Sequence, residues 1–390
     1  MQWSTERILT THAGSLPRPE SLTRLFAERV AGRPIDEAAL EREIEAATLA
    51  VVPRQAAAGI DVVGNGEQGR ESFFLYVQRR MTGFGGRGRR RLWQDGVRYP
   101  GFVAMRNQAM AGRAWVSQLE PPKVIGPVAY ADPETIHAEC RQFRRVLEQT
   151  AAPHVEAFIC APSPGMVASA IPNEHYDSEE AYVNALADAL RVEYQAVVGH
   201  GFVLQLDCPD LAMERHITYQ DRPVGDFVAF VERIVAAINR AIAGLPPERV
   251  RLHVCWGNYE GPHDCDVPLA DIVGPILEAR VGGFLMPFAN PRHAHESRVF
   301  ATSRLRDDQV LAVGCIDTTT NYIEHPEVVA ERLEKAARAV GDPRRILAAT
   351  DCGFDTSAGM GRVAEDVVWA KLRALSDGAR LASERLLGRG

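Results

Sequence analysis

Eight short runs of apolar residues are spaced along the chain, and most of them end in a polar or glycine-containing turn. The runs are largely continuous, without the apolar–polar alternation of a half-buried strand. This pattern is typical of parallel strands that are buried on both faces. The runs predict strands at residues 8–12, 60–67, 155–160, 202–207, 251–255, 283–286, 310–316 and 346–351.

Between many of these runs, apolar residues recur with the spacing of a helix that is buried on one face. They predict helices over residues 37–58, 72–81, 133–150, 178–199, 225–243, 269–280, 326–340 and 365–387. Ser178 is a predicted N-cap, and Gly244 and Gly341 are predicted helix stops.

Strands that alternate with helices along the whole chain predict an α/β fold, a closed (β/α)8 TIM barrel that occupies residues 1–390 as a single domain. A length of 390 residues is normal for a barrel with insertions. A doubly wound sheet is the alternative, but no Gly-x-Gly-x-x-Gly motif opens the first helix. Residues 83–125 lose the pattern and are rich in glycine and arginine, so we predict an inserted β-hairpin arm there.

Composition narrows the class of protein. The net charge of −7 argues against general binding to nucleic acids or anionic membranes. No apolar run reaches the ~18 residues that span a bilayer, and the N-terminal residues lack a signal-peptide core. We therefore predict a cytoplasmic protein. Its seven scattered cysteines suggest free thiols and metal ligands, because an odd number does not suit a disulfide framework.

The candidate metal-binding and catalytic residues lie at the ends of the predicted strands. His253 and Cys255 are two residues apart, which in a strand places them on one face, and this pair is half of a zinc site. Cys352 follows the last predicted strand and is a third candidate ligand. In a barrel the carboxyl ends of all strands meet at one mouth. The polar residues expected there are His12, Ser15, Glu67, Asp207, His253, Cys255, Asp317 and Cys352.

Six segments together resemble the catalytic domain of cobalamin-independent methionine synthase. They are TTHAGSLPRP at 10–19, GEQGR at 66–70, LQLD at 204–207, HVCWGNYE at 253–260, ANPRH at 289–293 and ATDCGF at 349–354. The chain looks most like the short single-domain relatives, which include the epoxyalkane:coenzyme M transferases. The resemblance implies a zinc-dependent transferase that moves a methyl or other alkyl group from a donor to a small thiol.

The resemblance also implies roles for individual residues. His253, Cys255 and Cys352 match zinc ligands of the family. Glu67 and Asp207 match the acids that hold the amino group of homocysteine. The candidate catalytic residues are Asp207 and the three zinc ligands, His253, Cys255 and Cys352. The candidate substrate-binding residues are Ser15, Glu67, Asp207, His12 and Trp256.

One family ligand is missing. Family members carry a glutamate two residues before the Ala-Asn-Pro tract, where this chain has Pro287. Proline offers no donor atom, so either water or substrate completes a three-ligand zinc site, or Cys208 substitutes, or zinc is lost. The family histidine that assists proton transfer is also absent from the tract that begins at Asp317.

The residues are also compatible with two other functions. The barrel could catalyse carbon–sulfur bond formation or cleavage on a small sulfur compound without folate. It could also be a metal-free binding protein. The sequence does not reveal the alkyl donor, the acceptor thiol or whether the chain forms a homo-oligomer.

Overall fold

The computed structural model describes residues 1–388 and contains nine strands. Seven of them form one sheet, and each strand of that sheet runs parallel to its neighbours. The other two pair with each other. The strands are β1 (Val62–Gly64), β2 (Phe84–Gly85), β3 (Lys123–Val124), β4 (Glu156–Pro162), β5 (Val203–Asp207), β6 (Val250–His253), β7 (Gly283–Pro287), β8 (Val310–Ile316) and β9 (Ile346–Thr350).

Thirteen α-helices are described in the same residues, and none of them is long and apolar enough to cross a membrane. They are α1 (Glu20–Val30), α2 (Glu37–Ala57), α3 (Val77–Arg80), α4 (Gln94–Arg98), α5 (Pro100–Met110), α6 (Pro133–Thr150), α7 (Pro164–Ala170), α8 (Glu179–Gly199), α9 (Asp210–Met213), α10 (Val224–Ala241), α11 (Leu269–Leu277), α12 (Pro326–Val340) and α13 (Glu365–Leu387).

The strand order of the sheet is β1-β4-β5-β6-β7-β8-β9, and an N-terminal segment joins its two edges. Thr10 forms a parallel bridge to Ala348 in β9, and Thr11 forms one to Val62 in β1. The Thr11 N–H donates to the Ala348 carbonyl at 2.8 Å, and the Val62 N–H donates to the Thr10 carbonyl at 2.9 Å. The first predicted strand therefore occupies its expected place between the edges.

The prediction of eight full strands needs a correction at this segment, because only seven strands form the ladder. After Thr11, the backbone N–H groups donate to side-chain atoms and no longer to the carbonyls of a neighbouring strand. The Ala13 N–H donates to Thr350 Oγ1 at 3.1 Å, and the Gly14 N–H donates to His12 Nδ1 at 3.2 Å. The α/β fold with a curled parallel sheet is confirmed, and its eighth position is a short bridging segment.

The interior of the curled sheet holds a buried arginine beneath the mouth. Arg251, in β6, donates to Gln205 Oε1 at 2.9 Å and to the His12 carbonyl at 3.1 Å. Its guanidinium also lies 4.2 Å from the centre of the Phe158 ring. Burial lowers the pKa of Arg251 to about 10. These contacts tie the N-terminal segment to β5 and β6 from inside.

The inserted β-hairpin arm predicted at residues 83–125 is not confirmed. The two strands in this segment are two residues long, and they pair antiparallel at its base through Phe84 with Val124 and Gly85 with Lys123. Between them lie the helices α4 and α5. Pro100 occupies the first turn of α5, where its fixed φ favours a helix. We call residues 83–125 the arm.

Candidate metal and substrate site

Three side chains meet at the carboxyl end of the sheet. His253 is the last residue of β6, and Cys352 lies two residues beyond β9. Cys255 lies just past β6, and not within a strand as its spacing predicted. The donor atoms of the three residues lie within 4.8 Å of one another, and all three are buried. We call these residues the thiolate cluster.

The charges of the three side chains in the thiolate cluster compensate one another. A hydrogen bond from the Cys352 thiol holds the pKa of Cys255 well below its usual range, while the same contact raises the pKa of Cys352. Burial lowers the pKa of His253, but the Cys255 thiolate and the hydrogen-bonded Asp207 carboxylate outweigh it and raise the pKa to about 10. These pKa shifts favour an imidazolium beside a thiolate.

The donor set suits zinc. Two sulfurs and one imidazole nitrogen are preferred zinc ligands, and three protein ligands leave one position open. The Nδ1 of His253 donates to Asp207 Oδ1 at 3.0 Å, and Nε2, on the other side of the ring, lies 3.2 Å from the Asp351 carbonyl. A carboxylate that orients a ligating histidine in this way is common in metal sites.

No fourth His, Cys, Asp or Glu donor joins the thiolate cluster within residues 1–388. Pro287, the last residue of β7, borders a small cavity of about 30 Å³ together with Cys255 and Cys352. Cys208 stays outside the cluster because its buried thiol donates to the Leu206 carbonyl at 3.3 Å. The cavity beside Pro287 can hold a water molecule.

A pair of carboxylates borders the same mouth. Glu67 and Asp207 both line the main pocket, and their oxygens lie within 4.8 Å of each other and of Cys160. Burial and then the charge of Asp207 raise the pKa of Glu67 to about 7. Glu67 Oε2 is buried and has no hydrogen-bond partner among the described residues. Two neighbouring buried carboxylates, one with an unpartnered oxygen, are an arrangement that favours a cation.

The backbone of Glu67 is strained. Its φ of 54° lies in the left-handed region, which non-glycine residues rarely adopt. The turn is held by Asn65 Oδ1, which accepts from the Glu67 N–H at 3.0 Å, and by Arg18, which donates to the Glu67 carbonyl at 2.8 Å. Such strain persists only where the surroundings fix it, and it concentrates at functional sites.

The other predicted substrate-binding residues have different surroundings. Ser15 lines the main pocket, and its Oγ accepts from the Asp355 N–H at 3.3 Å. Both ring nitrogens of His12 contact protein groups, Gln55 and the Gly14 N–H, and the ring is outside the pocket lining. The indole of Trp256 borders the small cavity and donates to the Val267 carbonyl at 2.8 Å.

The main pocket has a volume of about 220 Å³, and much of its wall comes from the arm. The apolar side chains that line it include Phe73, Trp93, Met110, Trp115, Met166, Met213, Ile217 and Met360. Sequence patterns missed the arm's contribution, because side chains of an irregular insertion reach a pocket only through tertiary contacts.

Asp95 fixes the arm against the loop that follows β6. This buried residue of α4 accepts from the Tyr259 hydroxyl at 2.6 Å and from the His263 N–H at 2.9 Å. Arg98 adds an ion pair to Asp264 at 3.0 Å. Cys255 lies near the start of the same loop, so the loop that the arm holds also carries one member of the thiolate cluster.

Asp351 is a further residue of the site that the sequence did not single out. Its carboxylate accepts from the backbone N–H groups of Phe288, Ala289 and Asn290 at 2.9–3.0 Å. These residues follow Pro287. Burial raises the pKa of Asp351 to about 7, against the opposing effect of the N–H donors. Asp351 therefore anchors the chain beyond β7 next to Cys352.

Asp351→Asn is expected to lower the free energy of unfolding by about 1–3 kcal/mol at pH 8. Asparagine accepts with one oxygen only, so a backbone N–H beyond Pro287 would face an amide NH₂ group. Urea unfolding measures the change. Asp307→Asn at an exposed position is the matched control and should change stability by less than about 0.5 kcal/mol. Equal stability of the two variants would contradict the anchoring role.

Enzymes with this kind of α/β fold carry their active sites at the carboxyl ends of the parallel strands, where the thiolate cluster and the two carboxylates lie. The chain belongs to the family described as "Cobalamin-independent synthase, Catalytic domain", whose model matches residues 8–370. It is accordingly an enzyme, a transferase of the methionine-synthase-like class. This assignment excludes the non-catalytic binding protein that the sequence left open.

Several relatives support the assignment. The chain is 29% identical to the methionine synthase of Thermococcus kodakarensis over 346 residues, which cover 88% of this chain and 86% of that protein. It is 23% identical to the methionine synthase of Saccharolobus solfataricus over 384 residues, which cover 98% and 96% of the two chains.

Solved structures share the fold. A B12-independent methionine synthase from Shewanella sp. W3-18-1, in complex with selenomethionine, matches with a TM-score of 0.70 at 22% identity, over 98% of this chain and 99% of that one. A putative vitamin-B12-independent methionine synthase from Listeria monocytogenes matches with a TM-score of 0.65 at 21% identity, over 96% and 98%.

Proposed function

We propose that this protein is a zinc-dependent transferase that moves a methyl or other alkyl group onto the sulfur of a small amino thiol. The observation that carries the proposal is that one pocket is bordered by both the thiolate cluster and the Glu67–Asp207 pair. The relatives named methionine synthase make homocysteine the first acceptor to test.

His253, Cys255 and Cys352 would hold the zinc. When bound, zinc would lower the pKa of a coordinated thiol, so that the acceptor would be a nucleophilic thiolate at neutral pH. Asp207 orients His253 through the 3.0 Å hydrogen bond. The cavity of about 30 Å³ beside Pro287 has room for a water molecule in the place of a fourth protein ligand.

The carboxylates of Glu67 and Asp207 would bind the ammonium group of the acceptor. Their two charges in a buried setting favour a cation, and Glu67 Oε2 lacks another partner among the described residues. Ser15, on the same wall, would contact the acceptor carboxylate. This three-point contact fixes the sulfur toward the thiolate cluster, and such positioning supplies much of the rate of a two-substrate reaction.

The alkyl donor would occupy the apolar part of the pocket under the arm. Trp93 and Trp115 offer aromatic surface there, and Met110 offers an adaptable one. Covering by the arm limits the access of water to the reacting groups. The partners of the protein are therefore a small thiol and an alkyl donor.

The test is to incubate the zinc-loaded protein with homocysteine and methyltetrahydrofolate and to measure methionine by mass spectrometry. Methionine formation is expected. In the Co²⁺-substituted protein, homocysteine should also increase the sulfur-to-metal charge-transfer absorption, which reports acceptor binding whatever the donor is. Absence of both signals would contradict the proposal.

Pro287 favours a second candidate function. A site with one protein ligand fewer has a different charge from the family pattern, which suits a diverged reaction that forms or cleaves a carbon–sulfur bond without folate. Methionine formed from methyltetrahydrofolate at a useful rate would remove this candidate. A homocysteine-dependent Co²⁺ signal without methionine would favour it.

A further inference from the structure

A second group of histidines surrounds Asp266 and shares no residue with the thiolate cluster, although His263 and His293 line the same small cavity as Cys255 and Cys352. His263 Nδ1 and His293 Nε2 both lie 2.8 Å from Asp266 Oδ2, and His216 Nδ1 lies 2.8 Å from Asp266 Oδ1. All four side chains are buried. The loops that carry them follow β5, β6 and β7, so tertiary folding alone brings them together.

The outer hydrogen bonds of two rings determine where their protons lie. His263 Nε2 lies 2.9 Å from the Tyr259 carbonyl, which can only accept, so Nε2 carries a hydrogen. His293 Nδ1 lies 2.9 Å from Glu296 Oε2. In the neutral tautomer that donates to these outer acceptors, each ring turns a lone pair toward the Asp266 carboxylate. A cation must therefore lie between, either a second proton on each ring or a metal ion.

His216 favours the metal ion. Its ring is fully buried, and neither ring nitrogen has a hydrogen-bond partner within residues 1–388. Asp266 Oδ1 also lacks one, because the short contact to His216 does not have hydrogen-bond geometry. A network of protonated histidines would leave these buried groups unsatisfied, which is rare in folded proteins. A metal ion between His216 Nδ1 and Asp266 Oδ1 would satisfy these two atoms.

The outer contacts also match those of known metal sites. A ligating histidine usually donates its other N–H to a backbone carbonyl or a carboxylate, which fixes the ring and raises its basicity. The Tyr259 carbonyl does this for His263, and Glu296 does it for His293. Glu296 is itself fixed, because its Oε1 accepts from the Leu269 N–H at 2.7 Å.

We propose that His263, Asp266 and His293, with His216 beside them, bind a first-row divalent transition-metal ion through ligands that are not part of the thiolate cluster. The nitrogen and oxygen donors are those that such ions accept, and the set contains no sulfur. The ion would join the loops after β6 and β7. Because Trp256 stacks on His293 at 3.9 Å between ring centroids, the ion would also support the segment that carries Cys255.

Metal binding by a variant without the thiolate cluster tests this proposal. Cys255→Ser/Cys352→Ser protein is stripped with a chelator and titrated with Co²⁺ and with Zn²⁺. About one equivalent of either ion should bind, with weak d–d bands of Co²⁺ and no sulfur-to-metal charge transfer. Adding His263→Gln and His293→Gln to this variant should abolish binding. Adding His295→Gln, at an exposed position two residues from His293, should leave binding unchanged.

Thermal unfolding gives a second measurement that does not need the histidine variants to fold. Zn²⁺ should raise the Tm of the Cys255→Ser/Cys352→Ser protein, because an ion that binds only the folded state stabilises it. An unchanged Tm together with no bound ion would overturn the proposal and identify the histidines as a protonated network. Since the thiolate cluster is absent from this variant, the outcome does not depend on the proposed transferase function.

Discussion

Cys352→Ser is expected to lower the rate of alkyl transfer by on the order of 10³-fold, since metal activation supplies several kcal/mol. Relative to the wild type, the same variant should lose the zinc ion of the thiolate cluster, because serine is a poor zinc ligand and only His253 and Cys255 remain. The hydrogen bond between Cys352 and Cys255 also disappears, so the pKa of Cys255 should move back toward its usual value.

Methionine formation and zinc content per chain measure both effects. Cys265→Ser is the matched control, because Cys265 lies in the same loop as Cys255 but outside the thiolate cluster. The control should retain zinc and activity. Full zinc content in Cys352→Ser would show that the cluster does not hold the metal.

Glu67→Gln is expected to reduce kcat/KM for homocysteine by about 10²-fold at pH 8, because it removes one charge of a buried ion pair with the substrate ammonium group. A thiol without an amino group, such as 2-mercaptoethanol, should react at nearly the same rate with both proteins. This comparison separates loss of substrate binding from general damage to the site. Equal losses with both thiols would assign Glu67 a structural role.

The pH dependence of the same pair of proteins provides a further check. Glu67 has a pKa of about 7 in the folded protein, so it becomes neutral as the pH falls below 7. In the wild type, KM for homocysteine should therefore rise between pH 8 and pH 6. In Glu67→Gln, residue 67 does not titrate, so the part of the rise in KM that is due to this residue should be absent.

As the pH rises, titration of Glu67 should lower the free energy of unfolding, whereas it should improve the binding of homocysteine. The folded pKa of about 7 exceeds the ordinary 4.5, so protonation of Glu67 favours folding below pH 4.5 and this contribution is lost as the pH rises through 7. Wild type should lose about 3 kcal/mol more than Glu67→Gln between pH 4.5 and pH 8. Urea unfolding at the two pH values measures the difference.

Regular elements were predictable because local signals determine their bounds. The helices predicted at residues 133–150, 326–340 and 365–387 are confirmed residue for residue. Ser178 caps α8 by accepting from the Ala181 N–H, and Gly341 ends α12 with a φ of 86°. Capping and left-handed glycine act within one turn, so the sequence contains their whole cause.

Two of the helix predictions were wrong, each for an identifiable reason. Helix α1 was not predicted, although Leu22 and Phe26 form its buried stripe; it follows directly on the Pro-rich turn at residues 17–19. The helix predicted at 72–81 is reduced to Val77–Arg80. There the chain before Val77 pairs instead with distant residues, as shown by the Phe73 N–H donating to the Thr356 carbonyl at 3.0 Å.

The sequence by itself determined the strand ends and the residue types at them. His253, Cys255 and Cys352 were predicted to converge because parallel strands place their carboxyl ends on one side. Only the tertiary structure decided what surrounds them. The helical arm over the pocket, the Asp351 anchor and the histidines around Asp266 depend on contacts between distant loops. Loop conformation has no period along the chain, so no local pattern predicts which loop side chains meet.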